Sequence, residues 1–265
     1  MNHLEAMSSE SKIRVKILKK DRLLGKLVKV KSLSARDRDE MWTLLDTYYE
    51  GVSRATFESD LAKKSDLILM RSEQSGEVKG FCTLVAKVFE TKGRRWKMVF
   101  TGDTIIDQGY WGQQTLHRCF MQYLIRQKLS HPLLPLHWLL ITKGFKTYLT
   151  LTRNFLDHWP RHDRETPAWE SSAIHHAATE LFGEEYDPVQ GIIRYQEAPR
   201  LKEWVAPEES VRGHHSDIEF FFKLNPNHHE GEELVCLGAF SLSYLYHHFT
   251  RTLRKHLKRS RSTQH

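Results

Sequence analysis

Residues Thr101–Gln114 read TGDTIIDQGYWGQQ, and the rest of the chain is organised around them. An apolar, β-branched run ends at Asp107. Two glycines, Gly109 and Gly112, then make a turn. A helical pattern follows, with Leu116, Phe120, Met121, Leu124 and Ile125 on one face. A strand that passes through a glycine turn into a helix leaves the first N–H groups of that helix without partners. Those donors and the helix dipole make an anion site, although the same pattern also serves as a plain strand-to-helix connection.

Upstream of this stretch, three strand-like runs follow one another: Leu67–Met70, Gly80–Phe89 and Trp96–Ile106. Short turns at Ser75-Gly76 and Thr91–Arg95 make them antiparallel neighbours. Before them lie two helices. Ser34 with Asp37 three residues on is a capping-box pattern, and Met41, Trp42, Leu44, Leu45, Tyr48 and Tyr49 form the apolar face that follows. A shorter helix over Ala55–Lys63 carries Phe57 and Leu61. Residues 12–31 alternate basic and apolar side chains, broken near Asp21 and Gly25, which predicts an edge hairpin.

Downstream, Leu136–Thr142 is an apolar strand, so the passage from Trp96–Ile106 through the helix predicts a parallel, right-handed crossover. Helices are predicted over Phe145–Phe155 and Thr166–Phe182. Strands are predicted over Ile192–Tyr195, Ile218–Leu224 and Leu234–Phe240, and an amphipathic helix over Ser241–Leu257.

Composition narrows the class. A chain of 265 residues with seven Trp is long enough to bury roughly three-quarters of its unfolded surface. The net charge of +7 is compatible with anionic ligands but common in proteins that bind no nucleic acid. Cys82, Cys119 and Cys236 are odd in number and lack metal-ligand spacing, which predicts buried free thiols and a reducing compartment. Adjacent histidine pairs at 175/176 and 247/248 fall on predicted helices, where neighbours diverge by about 100°, so no metal is expected. No uncharged run is apolar enough to span a membrane, and a cytoplasmic protein is expected. The tail Arg251–Arg261 holds six basic residues; a solvated helix end and a nucleic-acid contact both fit it.

The element order of strand, two helices, three antiparallel strands, glycine turn, helix, strand and helix resembles the GNAT superfamily of acyl-CoA-dependent N-acyltransferases. The resemblance covers roughly residues 28–160. In that superfamily the fourth strand runs into a loop Q/R-x-x-G-x-G/A whose amides hold the coenzyme A pyrophosphate. Gly112 matches the first glycine. Gly109 stands at the Gln/Arg position and Gln114 at the second small position, where its side chain either crowds the phosphates or adds an amide donor. Lys143 stands at a position the family commonly fills with Asn, and Thr150 where a Tyr acid is usual, with Tyr148 two residues away.

The resemblance implies an α/β fold with a mixed, centrally splayed sheet flanked by helices, and a C-terminal strand-helix extension. It implies three parts: a polar segment over 1–27, an acyltransferase domain over 28–196 and an extension over 197–265. The implied reaction is acetyl transfer from acetyl-CoA to a primary amine, on a small molecule or a peptide, by direct attack on the thioester. Thr104, Ile105 and Ile106 would line the pantetheine arm, and Gly109, Tyr110, Trp111, Gly112, Gln113, Gln114 and Thr115 the pyrophosphate. Asp103 and Asp107 are the carboxylates nearest the splay; Asp103 is the preferred base, directly or through water, and Tyr148 the expected acid. Strand-end carboxylate and core-edge tyrosine are the plain readings of the same residues. Aromatics in the C-terminal segment point to a homodimer face. The alternative is a non-catalytic GNAT-like module that binds another ligand, or nucleic acid through the basic tail.

Overall fold

The computed structural model describes residues 21–195, 200–202 and 215–241. The expected first arm of the N-terminal hairpin, the amphipathic helix after Ser241 and the basic tail lie outside the described residues. One large mixed sheet runs through the molecule. Its spine is built from β1 (Leu23–Lys29), β3 (Asp66–Ser72), β4 (Val78–Thr91), β5 (Arg94–Ile106), β6 (Leu136–Thr142) and β11 (Glu233–Phe240), in the order β1-β3-β4-β5-β6-β11. The short strands β9 (Ile192–Ile193) and β8 (Tyr186–Asp187) continue it, and β7 (His158–Trp159) pairs with β11. Among the described residues only β5 and β6 are parallel; every other pair of the sheet is antiparallel. A separate two-stranded ribbon joins β2 (Tyr49–Glu50) to β10 (Arg200–Leu201).

Both faces of the sheet are covered, which is why its central strands read as nearly continuous apolar runs rather than alternating ones. On one face lie α1 (Ala35–Tyr48), α2 (Arg54–Ala62) and α5 (Ala168–Phe182), packed on Leu67, Leu69, Phe81, Met98, Phe100 and Leu237. On the other lie α3 (Thr115–Ser130), α4 (Phe145–Asn154) and α6 (Ser216–Leu224), packed on Ile68, Met70, Leu84, Val99 and Cys236. The alternation of consecutive strand residues between these two cores follows from the period of two along a strand. The capping box of α1 forms as its sequence predicts: Asp37 N–H donates to Ser34 Oγ at 3.1 Å, and Ser34 N–H to Asp37 Oδ2 at 2.9 Å.

Two expectations are corrected. Ile218–Leu224 is not a strand but lies in helix α6. A short apolar run is ambiguous between the two periods; here Asp217 and Glu219 open the segment and Lys223 closes it, which suits a helix dipole. Ile218 and Phe221, three apart, are buried together, and the Phe221 ring packs on Tyr148 at 5.8 Å. Gly25 is not a break but sits inside β1. A Cβ there would lie 2.5 Å from Cys119 Sγ and 2.8 Å from Thr115 Cγ2, so the glycine lets α3 approach the strand. β1 therefore belongs to the main sheet and crosses the boundary expected between residues 27 and 28.

Candidate functional site

The site begins where β5 and β6 part. Their parallel pairing runs from Lys97↔Leu136 to Thr101↔Leu140 and stops. Beyond it β5 continues to Ile106 against β4 alone, and β6 to Thr142 against β11 alone. The cause is local. Between Leu84↔Thr101 and Cys82↔Thr104 the chain of β5 holds one residue more than β4, a bulge at Gly102-Asp103. Such a bulge bends the strand that carries it. Gly102 is required there, because a Cβ would meet Thr83 Oγ1 at 2.6 Å.

At the end of β5 the glycine turn is locked by its own side chains. Gly109 N–H donates to Asp107 Oδ1 at 2.9 Å, Gln108 N–H to the Tyr48 hydroxyl at 2.6 Å, and Trp111 Nε1–H to Ile106 O at 2.7 Å. The amides of Tyr110, Trp111 and Gln113 donate to Asp107 O, Gln108 O and Tyr110 O. The Tyr110 hydroxyl donates to Asp21 at 2.6 Å and the Gln113 side chain spans to β1, so the turn is stapled to the edge strand. Asp21 is held below the usual carboxylate range by the Ser72 hydroxyl, then by Tyr110.

What remains are the amides at the start of α3. No partner among the described residues takes the N–H groups of Gly112, Gln114, Thr115 and Leu116. Gln114 caps the helix without a side-chain bond. Gly112 has φ of +83°, a left-handed conformation that other residues adopt only under strain, and its Cα faces open space. A recess of about 460 Å³ opens beside Gly112 and Gln114, lined also by Asp21, Arg22, Trp111, Gln113 and Arg118. Two guanidinium-bearing residues, unpaired amides and a helix N-terminus are the chemistry of a phosphate site.

The residues expected to bind a cofactor therefore divide. Gly112, Gln114 and Thr115 offer unpartnered amides. Gly109, Tyr110, Trp111 and Gln113 spend theirs on the turn. The Thr115 hydroxyl donates to Leu23 O, and the Thr104 hydroxyl lies within 3.2 Å of Cys82 Sγ and 3.1 Å of Gly102 O. Ile105 turns its side chain into the core under α1 and α2, and Ile106 packs on the α3 face. Both can offer a ligand only backbone. Arg118 is four residues after Gln114, on the same helix face, and was readable from the motif. Arg22 arrives through β1, and nothing local in the sequence announces it.

On the far side of the splay a second group converges. Asp103, on the bulge, is exposed. Desolvation raises its carboxyl above the ordinary range, against the pull of Lys64 and Lys143. Lys143, the residue after β6, lies 3.1 Å from Glu233 Oε1 at the start of β11 and 5.5 Å from the centre of the Tyr49 ring. Glu233 is 9% exposed; burial raises it, Lys143 lowers it and Asp103 raises it further. Tyr195 bonds to Glu233, and the hydroxyls of Tyr49 and Tyr195 are both pushed up by burial, with Glu233 adding to each. Of this group the sequence singles out Asp103 as the base and Lys143 as a motif departure. Tyr49, Tyr195 and Glu233 come from three distant segments.

Tyr148 is elsewhere. It is fully buried, its hydroxyl donates to Pro160 O at 2.9 Å, and burial raises its pKa. Among the described residues no group of three His, Cys, Asp or Glu side chains could hold a metal ion, and no helix is long and apolar enough to cross a membrane. Cys82, Cys119 and Cys236 are free and buried.

The molecule thus has a mixed sheet whose parallel pair splays beside a bulge, and the first strand of that pair feeds a glycine turn and a helix. The fold resembles that of the GNAT superfamily. No family model matches the chain and no curated protein matches it. Solved structures do. An Enterococcus faecalis probable N-acyltransferase is 14% identical with a TM-score of 0.37, over 49% of this chain and 32% of that one. The GNAT family N-acetyltransferase YhbS of Escherichia coli, in complex with CoA, is 18% identical with a TM-score of 0.36, over 57% and 79%. The NatC complex bound to Gag peptide and CoA is 12% identical with a TM-score of 0.39, over 83% and 99%. The chain thus spans about a third of the first of these and most of the other two. At such scores the resemblance rests on the strand order, bulge and splay described above.

Proposed function

We propose that this chain is an acyl-CoA-dependent N-acyltransferase that moves an acetyl group from acetyl-CoA to a primary amine carried by a small molecule or a peptide. The observation that supports it best is continuity. The gap between β5 and β6 leads at one end to unpartnered amides and two arginines, and at the other to Asp103.

In this reading the pyrophosphate lies on the amides of Gly112, Gln114 and Thr115, with Arg22 and Arg118 neutralising phosphate charge. The pantetheine arm lies in the gap, where the edge of β5 from Gly102 to Ile106 has lost its β6 partner and offers backbone N–H and C=O groups. A backbone N–H near Ile105 polarises the thioester carbonyl, and Asp103 takes a proton from the amine directly or through water. A raised pKa suits that role, because a base is most effective when its pKa approaches the working pH. Tyr148 is left to packing, and the thiolate takes its proton from another group or from water.

Calorimetric titration with acetyl-CoA tests the reading, with desulfo-coenzyme A and a mononucleotide as controls. Micromolar binding that is lost in Gly112→Asp supports it. No binding in the native protein overturns it and leaves a GNAT-shaped scaffold for another ligand.

A further inference from the structure

The cleft already contains a primary amine. Lys143 follows the last residue of β6, so its backbone stands at the mouth of the gap that opens after Leu140. Its side chain is 14% exposed and turns toward β11 rather than to bulk water. There the ammonium rests 3.1 Å from Glu233 Oε1 and over the Tyr49 ring, with Asp103 near enough to act on it electrostatically.

We propose that Lys143 is an acceptor of the acyl group, so that the protein acylates itself at this position. The proposal rests on the acyl-transfer reading and adds to it a modification site inside the same cleft. Three features carry it. First, the nucleophile is primary and unbranched, and its backbone directly follows β6, the strand that borders the gap. Second, a carboxylate able to take its proton is already in contact. Burial raises the Glu233 carboxyl, against the pull of the Lys143 ammonium beside it. Third, the Tyr49 ring and the ion pair hold the chain in place, so the encounter is intramolecular.

The step balances. The Lys143 ammonium gives one proton to Glu233, and its lone pair attacks the thioester carbonyl carbon. The C–N bond forms and the C–S bond breaks. A second proton leaves nitrogen as the tetrahedral intermediate collapses. One of the two protons ends on the coenzyme A thiol and the other in solvent. The product amide carries no charge, so acylation removes the cation that pairs with Glu233.

The test is mass spectrometry of the full chain after incubation with acetyl-CoA, with peptide-level localisation. The expected result is acetylation at Lys143 that is first order and independent of protein concentration. Its rate should exceed that of exposed Lys92 by about a hundredfold or more, given the effective molarity of a positioned pair. The modification should vanish in Lys143→Arg, which keeps the cation, while calorimetric affinity for acetyl-CoA stays within about threefold. Should Lys143→Arg fail to fold, Glu233→Gln serves instead: the rate at Lys143 should fall while that at Lys92 does not. Acetyl-CoA binding with Lys143 unmodified, or modified no faster than Lys92, overturns this inference and leaves the acyltransferase reading standing. Absence of acetyl-CoA binding overturns both.

Discussion

The side chain of Gln113 joins the glycine turn to the edge of the sheet: Leu23 N–H donates to its Oε1 at 2.9 Å, and its Nε2 donates to Asp21 O at 2.9 Å. A residue in the turn thus holds the strand that follows Arg22 against the helix that carries Arg118. The recess over α3 exists because these two segments, about ninety positions apart in sequence, are clamped by one amide.

Gln113→Ala removes both bonds and leaves a half-buried N–H without a partner. Urea unfolding should show a loss of about 1–3 kcal/mol. Acetyl-CoA affinity should fall as well, because Arg22 is no longer fixed. Unchanged affinity would place Arg22 outside the phosphate site.

Gly112→Asp combines two effects. The left-handed φ is strained for any side chain, and the added carboxylate faces the place proposed for the pyrophosphate. Gly112→Ala separates them, since it keeps the strain and omits the charge. We expect Gly112→Ala to cost about 1 kcal/mol of stability and little binding, and Gly112→Asp to abolish calorimetric binding.

Asp103→Asn tests the base. The native rate constant kcat/KM should climb with pH, with a midpoint above the ordinary Asp value of about 3.9, because desolvation raises this carboxyl. The variant should lose about a hundredfold or more in turnover and flatten that limb. The linked stability effect has a definite sign. A carboxyl raised in the folded state favours folding below the unfolded pKa, and that contribution is lost as pH rises through the folded value. Asp103→Asn should therefore be more stable than the native protein at neutral pH.

Tyr148→Phe should leave turnover unchanged and cost about 1 kcal/mol in unfolding, since the hydroxyl is spent on Pro160 O inside the core. A large loss of kcat with intact stability would return Tyr148 to the chemistry.

His137 supplies a pH dependence unrelated to the site. Its imidazole is 6% exposed beside Trp96 and Trp169, and burial lowers its pKa from 6.5 to about 4. A depressed histidine contributes stability above its unfolded pKa and loses it as pH falls through the folded value. The shift corresponds to roughly 3 kcal/mol, lost between about pH 6.5 and 4. His137→Phe, which keeps a ring in the aromatic cluster, should show a flatter decline when unfolding is measured at pH 7 and pH 5.

Much of the fold was legible because its signals are short-range. The strand at Leu136–Thr142, the capping box at Ser34 and Asp37, and the helix after the glycine turn depend on neighbours within a few positions, and the structure places them where local pattern does. The apolar run Ile218–Leu224 reads as a strand for the same reason: seven residues carry too few periods to separate a helix from a strand, and burial of Ile218 and Phe221 together, with Phe221 against the Tyr148 ring, goes with the helix.

By itself the sequence determined the order of elements, the place of the glycine turn and the apolar character of strands covered on both faces. Those follow from propensity, periodicity and the conformational freedom of glycine, which act through adjacent residues. Only the tertiary structure decided where the parallel pair splays, which amides stay unpartnered, and that Tyr49, Asp103, Tyr195 and Lys143 all act on Glu233. Register, the bulge and desolvation are properties of chains brought together from far apart. A carboxyl or an amine has its ordinary chemistry in the sequence and acquires its working one from the groups that close around it.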